Sequence, residues 1–182
     1  DDTLGQPVGT RQTARAIADS TRSGRKSAYD TAYDFALDFG DDGAGNAVLD
    51  ALQYIDPTDF RAAKALADKK LRAQYGPRAA EYMQWKVNIL DDGSITAEGM
   101  PSVRELDMLK RALDELAEQT DQFGRPAAGV QEIKQARNRL REAMKEATQD
   151  ADGNSLYAAA LESGEDKIAQ DRALEVGQKL LR

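Results

Sequence analysis

The chain has 182 residues, of which 41% are hydrophobic, 31% charged and only 6% aromatic, and it carries a net charge of −7. It contains neither Cys nor His, which excludes disulfides, thiolate or imidazole metal ligands, and imidazole acid–base chemistry. The acidic balance argues against a surface devoted to neutralising phosphates, and no apolar run approaches the roughly 18 residues of a membrane span.

Such a composition favours helices clothed in Ala, Leu, Glu, Lys and Arg over a sheet rich in Val, Ile and Tyr. A chain of this length could bury roughly 70% of its unfolded surface, enough for one ordinary domain. The expected architecture is therefore all-α, a helical bundle of about five to six helices. Asp1 where a Met would begin a nascent chain points to a processed product or a fragment of a longer protein.

Residues 1–22 open as a polar stretch, DDTLGQPVGT, whose Gly and Pro suit an extended lead-in; from Arg11 it becomes a partly helical arm. A single helical domain is expected over 23–182. Its first helix is placed at about 23–38 by the stripe Ala28, Ala32, Phe35 and Phe39. A short second helix follows, carrying Val48, Leu52 and Ile55. Asp56-Pro57-Thr58-Asp59 then predicts a helix start, because Asp56 can cap free N–H groups, Pro57 suits the first helical position and Asp59 favours the positive end of the dipole. That third helix presents Phe60, Ala63, Ala67 and Leu71 on one face and should stop at Gly76-Pro77.

The helical rhythm falters at residues 78–100. Trp85, Val87 and Ile89 alternate with polar neighbours before Asp91-Asp92-Gly93, which predicts a small β-hairpin near 85–97 that must lie on the helices to be stable. Ser102 and Glu105 stand at capping-box spacing. They open a long antiparallel helical hairpin, with arms at about 102–120 and 128–148. Val103, Leu106, Leu109, Leu113 and Leu116 form the first stripe; Val130, Ile133, Leu140, Met144 and Ala147 form the second. Arg137 falls where the second stripe expects an apolar side chain, so it either extends its head to solvent or pairs with an acid on a neighbouring helix. Leu156, Tyr157, Ala160 and Leu161 predict a short helix broken at Ser163-Gly164. Ile168, Leu174, Val176, Leu180 and Leu181 predict a last one.

The residues that could carry chemistry are sparse. Asp–Gly loops at 41–43, 91–93 and 151–153 suggest calcium, but Leu90 and Gly99 occupy positions where a twelve-residue calcium loop needs oxygen ligands, and the loop at 38–49 fails likewise at Gly40 and Leu49. They read as turns and caps. Thirty-two acids on helical faces select no catalytic pair, and Ser23-Gly24-Arg25-Lys26 matches a Ser-x-x-Lys spacing without its supporting motifs. No catalytic, cofactor-binding or metal-binding residue is assigned. The candidate contact surface is the basic run Arg11, Arg15, Arg22, Arg25 and Lys26, followed by Tyr29 and Tyr33; it could face an acidic partner or track a nucleic-acid backbone.

Three segments carry a resemblance: SAYDTAYDFALDFG, DDGSITAEGMPSVRELDMLKRALDELAEQ and GEDKIAQDRALEVGQKLL. With Asp91 to Leu113 as the most distinctive part, the chain resembles a region of large phage- and prophage-encoded proteins of virion-associated or ejection type from alphaproteobacterial genomes. The resemblance implies a non-enzymatic structural or interaction domain, located in the virion or the bacterial host cytoplasm, with other virion or phage proteins as partners and genome delivery as its setting. It transfers no catalytic residue. Cysteine-free helices suit a chain that must unfold, pass a channel and refold. Self-association through helix faces is expected if the hairpin stripe is left uncovered. The alternatives are a host-directed binding or nucleic-acid-associated regulatory module and, last, an enzyme built on carboxylates.

Overall fold

A computed structural model describes residues 24–164, together with the isolated residue 16. Helical residues 24–33 form α1, followed by α2 (Asn46–Leu52), α3 (Pro57–Tyr75) and a 3-10 turn over Gly76–Tyr82. Strands β1 (Lys86–Ile89) and β2 (Ile95–Glu98) precede α4 (Val103–Leu116) and α5 (Val130–Ala147). Helical residues 156–164 form α6. The described chain is thus mostly helical, with one small antiparallel sheet in which Lys86 faces Glu98 and Ile89 faces Ile95. Arg11, Arg15 and Arg22, and the expected helix carrying Ile168 to Leu181, lie outside the described residues.

The expected start signal of α3 is in place. Asp56 Oδ1 accepts from Thr58 N at 2.9 Å and Pro57 opens the helix; truncating such a cap costs about 1 kcal/mol. Phe60, Ala63, Ala67 and Leu71 are all buried. The helix ends at Gly76, whose φ of 55° suits a residue without Cβ. The chain then continues as a 3-10 turn, which the Gly–Pro pair did not announce.

The first helix is shorter than expected, ending at residue 33 instead of about 38. From Phe35 to Phe39 burial alternates, Phe35, Leu37 and Phe39 half-buried between exposed Ala36 and Asp38. An extended run with this period of two lays Phe35 and Leu37 on the core, so what reads as a helical stripe is a strand-like one. Asp38 fixes the turn that follows: its carboxylate accepts from Gly40 N at 2.9 Å and its carbonyl from Gly45 N at 2.8 Å. The described part of α6 runs through Ser163 to Gly164, the last described residue. Ser163 Oγ donates to Ala160 O at 2.6 Å within the helix, and Gly164 lies against Tyr29, where a Cβ would come 3.5 Å from the tyrosine oxygen.

The sheet is anchored to the helices along β1 only: Val87 and Ile89 pack half-buried against the core, whereas every residue of β2 is exposed. Trp85 is buried edge-on against Phe60, with ring centroids 5.9 Å apart, and Arg61 Nη2 donates to Ile89 O at 3.3 Å. Glu105 completes the attachment. It closes the capping box with Ser102 at the start of α4, while its Oε2 accepts from Trp85 N at 3.0 Å.

Consecutive helices α4 and α5 pack on each other, with α3 against α4 and α2 against α5. Val103, Leu106, Leu109 and Leu113 of α4 and Val130, Ile133, Leu140, Met144 and Ala147 of α5 are buried, and Leu116 is half-buried. The apolar stripes are therefore covered within one chain, and the condition set for self-association through them is not met. Arg137 takes the second of its two expected options: its Nη1 lies 3.3 Å from Asp114 Oδ1 on α4.

Candidate functional site

The polar centre of the molecule is built around Asp107, in the second turn of α4 and only 1% exposed. Tyr33 Oη, from α1, donates to its Oδ2 at 2.5 Å; Tyr157 Oη, from α6, donates to its Oδ1 at 2.7 Å. One helical turn further along α4, Arg111 Nε lies 3.1 Å from Oδ2. Both carboxylate oxygens are thus satisfied by groups that arrive from three helices, the condition under which a buried charge is tolerated.

Electrostatics follow from that enclosure. Burial first, and then the negative charge of Asp107, raise the Tyr33, Tyr157 and Tyr29 hydroxyls above the ordinary tyrosine value. Burial works against the Arg111 charge, but Asp107 and the surrounding tyrosines outweigh it and hold the guanidinium protonated. One turn before Asp107, Arg104 sits among three rings: its Cζ is 4.0 Å from the Tyr82 centroid, 4.9 Å from Tyr33 and 5.4 Å from Tyr75. Its Nε donates to Tyr75 Oη at 3.1 Å. Cation–π contacts of this kind contribute about 0.5–2 kcal/mol each, more where water is excluded. Together Arg104, Asp107 and Arg111 join α1, the end of α3, the 3-10 turn and α6 to one side of α4. The cluster holds elements in register; its carboxylate faces protein donors on both oxygens.

Compared with protein-family models, curated proteins and solved structures, the chain matches none.

The sequence-derived basic surface is only partly within the described residues. Arg25 is half-buried on α1 and contributes to the electrostatic environment of Tyr29, whereas Lys26 is exposed. Arg111 also approaches Tyr29, its Cζ 5.3 Å from the ring centroid. Of the five basic residues, then, Arg25 is drawn toward the tyrosine cluster instead of standing free.

In two of the three Asp–Gly loops a carboxylate caps groups of its own loop. Asp92 Oδ1 accepts from Ser94 N and Oγ, at 2.9 and 2.6 Å, and Asp150 Oδ1 accepts from Asp152 N and Asn154 N, at 3.0 and 2.9 Å. These are Asx turns, the reading given to them as turns and caps. The sequence reading missed a further member. Asp121 Oδ1 accepts from Phe123 N at 2.8 Å and Arg125 N at 3.0 Å, and Gly124 takes the positive φ that Gly153 takes in the following loop. Both loops are closed by a single antiparallel bridge, Thr120 to Pro126 and Gln149 to Ser155. The shared Asp-x-x-Gly spacing at 121–124 and 150–153 was the signal available.

Phe123, at the tip of the loop before α5, is 71% exposed, with the Arg125 Cζ 5.5 Å from its ring centroid. Between α2 and α5 runs an open groove of about 320 Å³. Ala47, Ala51 and Ala143 line it with Asp50, Glu142 and Glu146, and Glu142 is paired with Lys145 at 3.2 Å and Arg141 at 3.5 Å. Tyr54 also lines it, with the Arg139 Cζ 3.8 Å from its ring centroid. Among the described residues no helix is long and apolar enough to cross a membrane.

Proposed function

We propose that this chain is a non-enzymatic structural and interaction domain of a phage-encoded, virion-associated protein that serves genome delivery. In this reading α4 and α5 form an antiparallel hairpin at the centre of a helical bundle. The observation that carries it is the convergence on Asp107. Tyr33 from the first described helix and Tyr157 from the last share one carboxylate, and Tyr29 lies beside Gly164. The first and last described helices therefore meet at one buried carboxylate, which suits a self-contained scaffold unit. Its strongest polar interactions serve its own assembly, as expected of a scaffold. The phage setting rests on the resemblance of the segments quoted above.

Association with the particle tests the proposal. A tagged protein should co-purify with density-banded virions at a fixed copy number and leave them when the genome is ejected. Recovery only from the host cytoplasm, with none in banded particles, would overturn it.

A further inference from the structure

We propose that the Tyr33–Asp107–Tyr157 clasp makes the domain yield to tension along one axis: pulled apart at the outer ends of α1 and α6 it unzips, whereas it resists a pull carried across α3, α4 and α5. The directions of the helices set this up. Tyr33, at the end of α1, reaches Asp107, while Tyr29, one turn earlier, meets Arg111, one turn further along α4; α1 therefore runs antiparallel to α4. Tyr157, at the start of α6, reaches the same Asp107, and Gly164 lies against the Tyr29 oxygen. The helix rises roughly 10 Å between Tyr157 and Gly164, so α6 runs parallel to α4 and antiparallel to α1. Gly24 and Gly164, the outer ends of the two arms, thus lie on the same side of the clasp.

That arrangement strains the contacts in sequence. Tension between the ends splays the arms, parting first Tyr29 from Gly164, then Tyr29 from Arg111, then both phenols from Asp107. Little else holds the arms down. Among the described residues of α1 and α6 the fully buried side chains are Ala32, Tyr33, Tyr157 and Ala160, so half of these anchors are the clasp tyrosines and the alanines bury little apolar area. Opening strips two donors from a buried carboxylate, which concentrates the barrier at Asp107; once it is open α4 loses the cover of both arms and the rest unfolds with it. A pull between α3 and α5 takes another path. It runs through the packing of α3 on α4 and of α4 on α5, where Leu71, Leu109, Leu113 and Leu140 are buried, and the Asp107 bonds stay closed. A domain drawn by its flanking chain is then opened at its weakest axis, while lateral contacts leave it shut. That would serve the delivery role proposed above, but the mechanics belong to the isolated chain and are tested apart from any virion.

Single-molecule force spectroscopy of the full chain provides the test. The chain has no Cys, so pairs of thiols for handles can be introduced at exposed positions: Gly24→Cys with Glu162→Cys for the first axis, Lys69→Cys with Gln135→Cys for the second. The wild type should yield at lower force on the first axis, and in one step. Tyr33→Phe/Tyr157→Phe should raise the unfolding rate at fixed force at least about 10-fold on the first axis. On the second it should change that rate less than about 3-fold, because contacts still intact in the transition state do not affect it. Tyr157→Phe alone should show the same one-sided acceleration at smaller amplitude. A wild type that yields at equal force on both axes, or clasp variants that accelerate unfolding equally on both, would overturn the proposal.

Discussion

Two acids one helical position apart from sharing a face, Glu105 and Asp107, are buried for different reasons. Asp107 is held by two phenols and a guanidinium. Removing it leaves two buried hydroxyls without an acceptor and a cation without its partner, so Asp107→Ala should cost about 3–5 kcal/mol in urea unfolding. Tyr157→Phe should cost less, about 1–3 kcal/mol, since one donor is lost and the carboxylate keeps the others. Glu105 has its pKa raised by burial, only partly opposed by the amides of Trp85 and Ser102 that bond to it. The folded state therefore holds the Glu105 proton more tightly than the unfolded state does. Its contribution is fully present below the unfolded value, about 4.3, and is lost as pH rises through the folded one. Against a Glu105→Gln control, the wild type should gain relative thermal stability as pH falls from 7 toward 4.5; an unchanged difference would contradict the assignment.

At the level of elements, legibility tracks the range of the interaction. The start of α3 and the capping box of α4 were readable because cap and recipient lie within three residues, and the stripes of α4 and α5 because their period is intrinsic to the helix. The end of α1 was not. Phe35 and Phe39 fit a helical spacing, but the tertiary core accepts Phe35 and Leu37 from an extended chain, and the Asp38 turn competes locally with helix. Nothing near Asp107 in sequence could announce Tyr33 and Tyr157, which lie 74 and 50 residues away; only the Asp107–Arg111 spacing and the Tyr29–Tyr33 spacing were visible, each within one turn. The loops illustrate a signal present but unused. Since Asp150 caps two amides of its own loop, Asp150→Ala should destabilise by about 1 kcal/mol and speed hydrogen exchange locally, at Asp152 and Asn154, well before global unfolding.

Across the whole molecule, the tyrosine–carboxylate centre couples the first and last described helices to α4, so its loss is a global event. The sign of that coupling is set by the tyrosines. Tyr29, Tyr33 and Tyr157 all have folded pKa values above the unfolded value of about 10. In the folded state they keep their protons at pH values where the unfolded chain has released them. Their stabilisation is complete below pH 10 and falls as pH rises beyond it. The chain should therefore unfold in a single alkaline transition above pH 10, in which the 295 nm absorbance of the buried tyrosinates appears together with the loss of helical circular dichroism. Tyr33→Phe/Tyr157→Phe, which removes two of these protons from the balance, should be less stable at pH 7 yet show a shallower decline above pH 10. If tyrosine ionisation at these positions instead preceded the loss of helix, the phenols would be reachable by hydroxide in the folded state. The clasp joining the two ends of the domain would then open independently of the core.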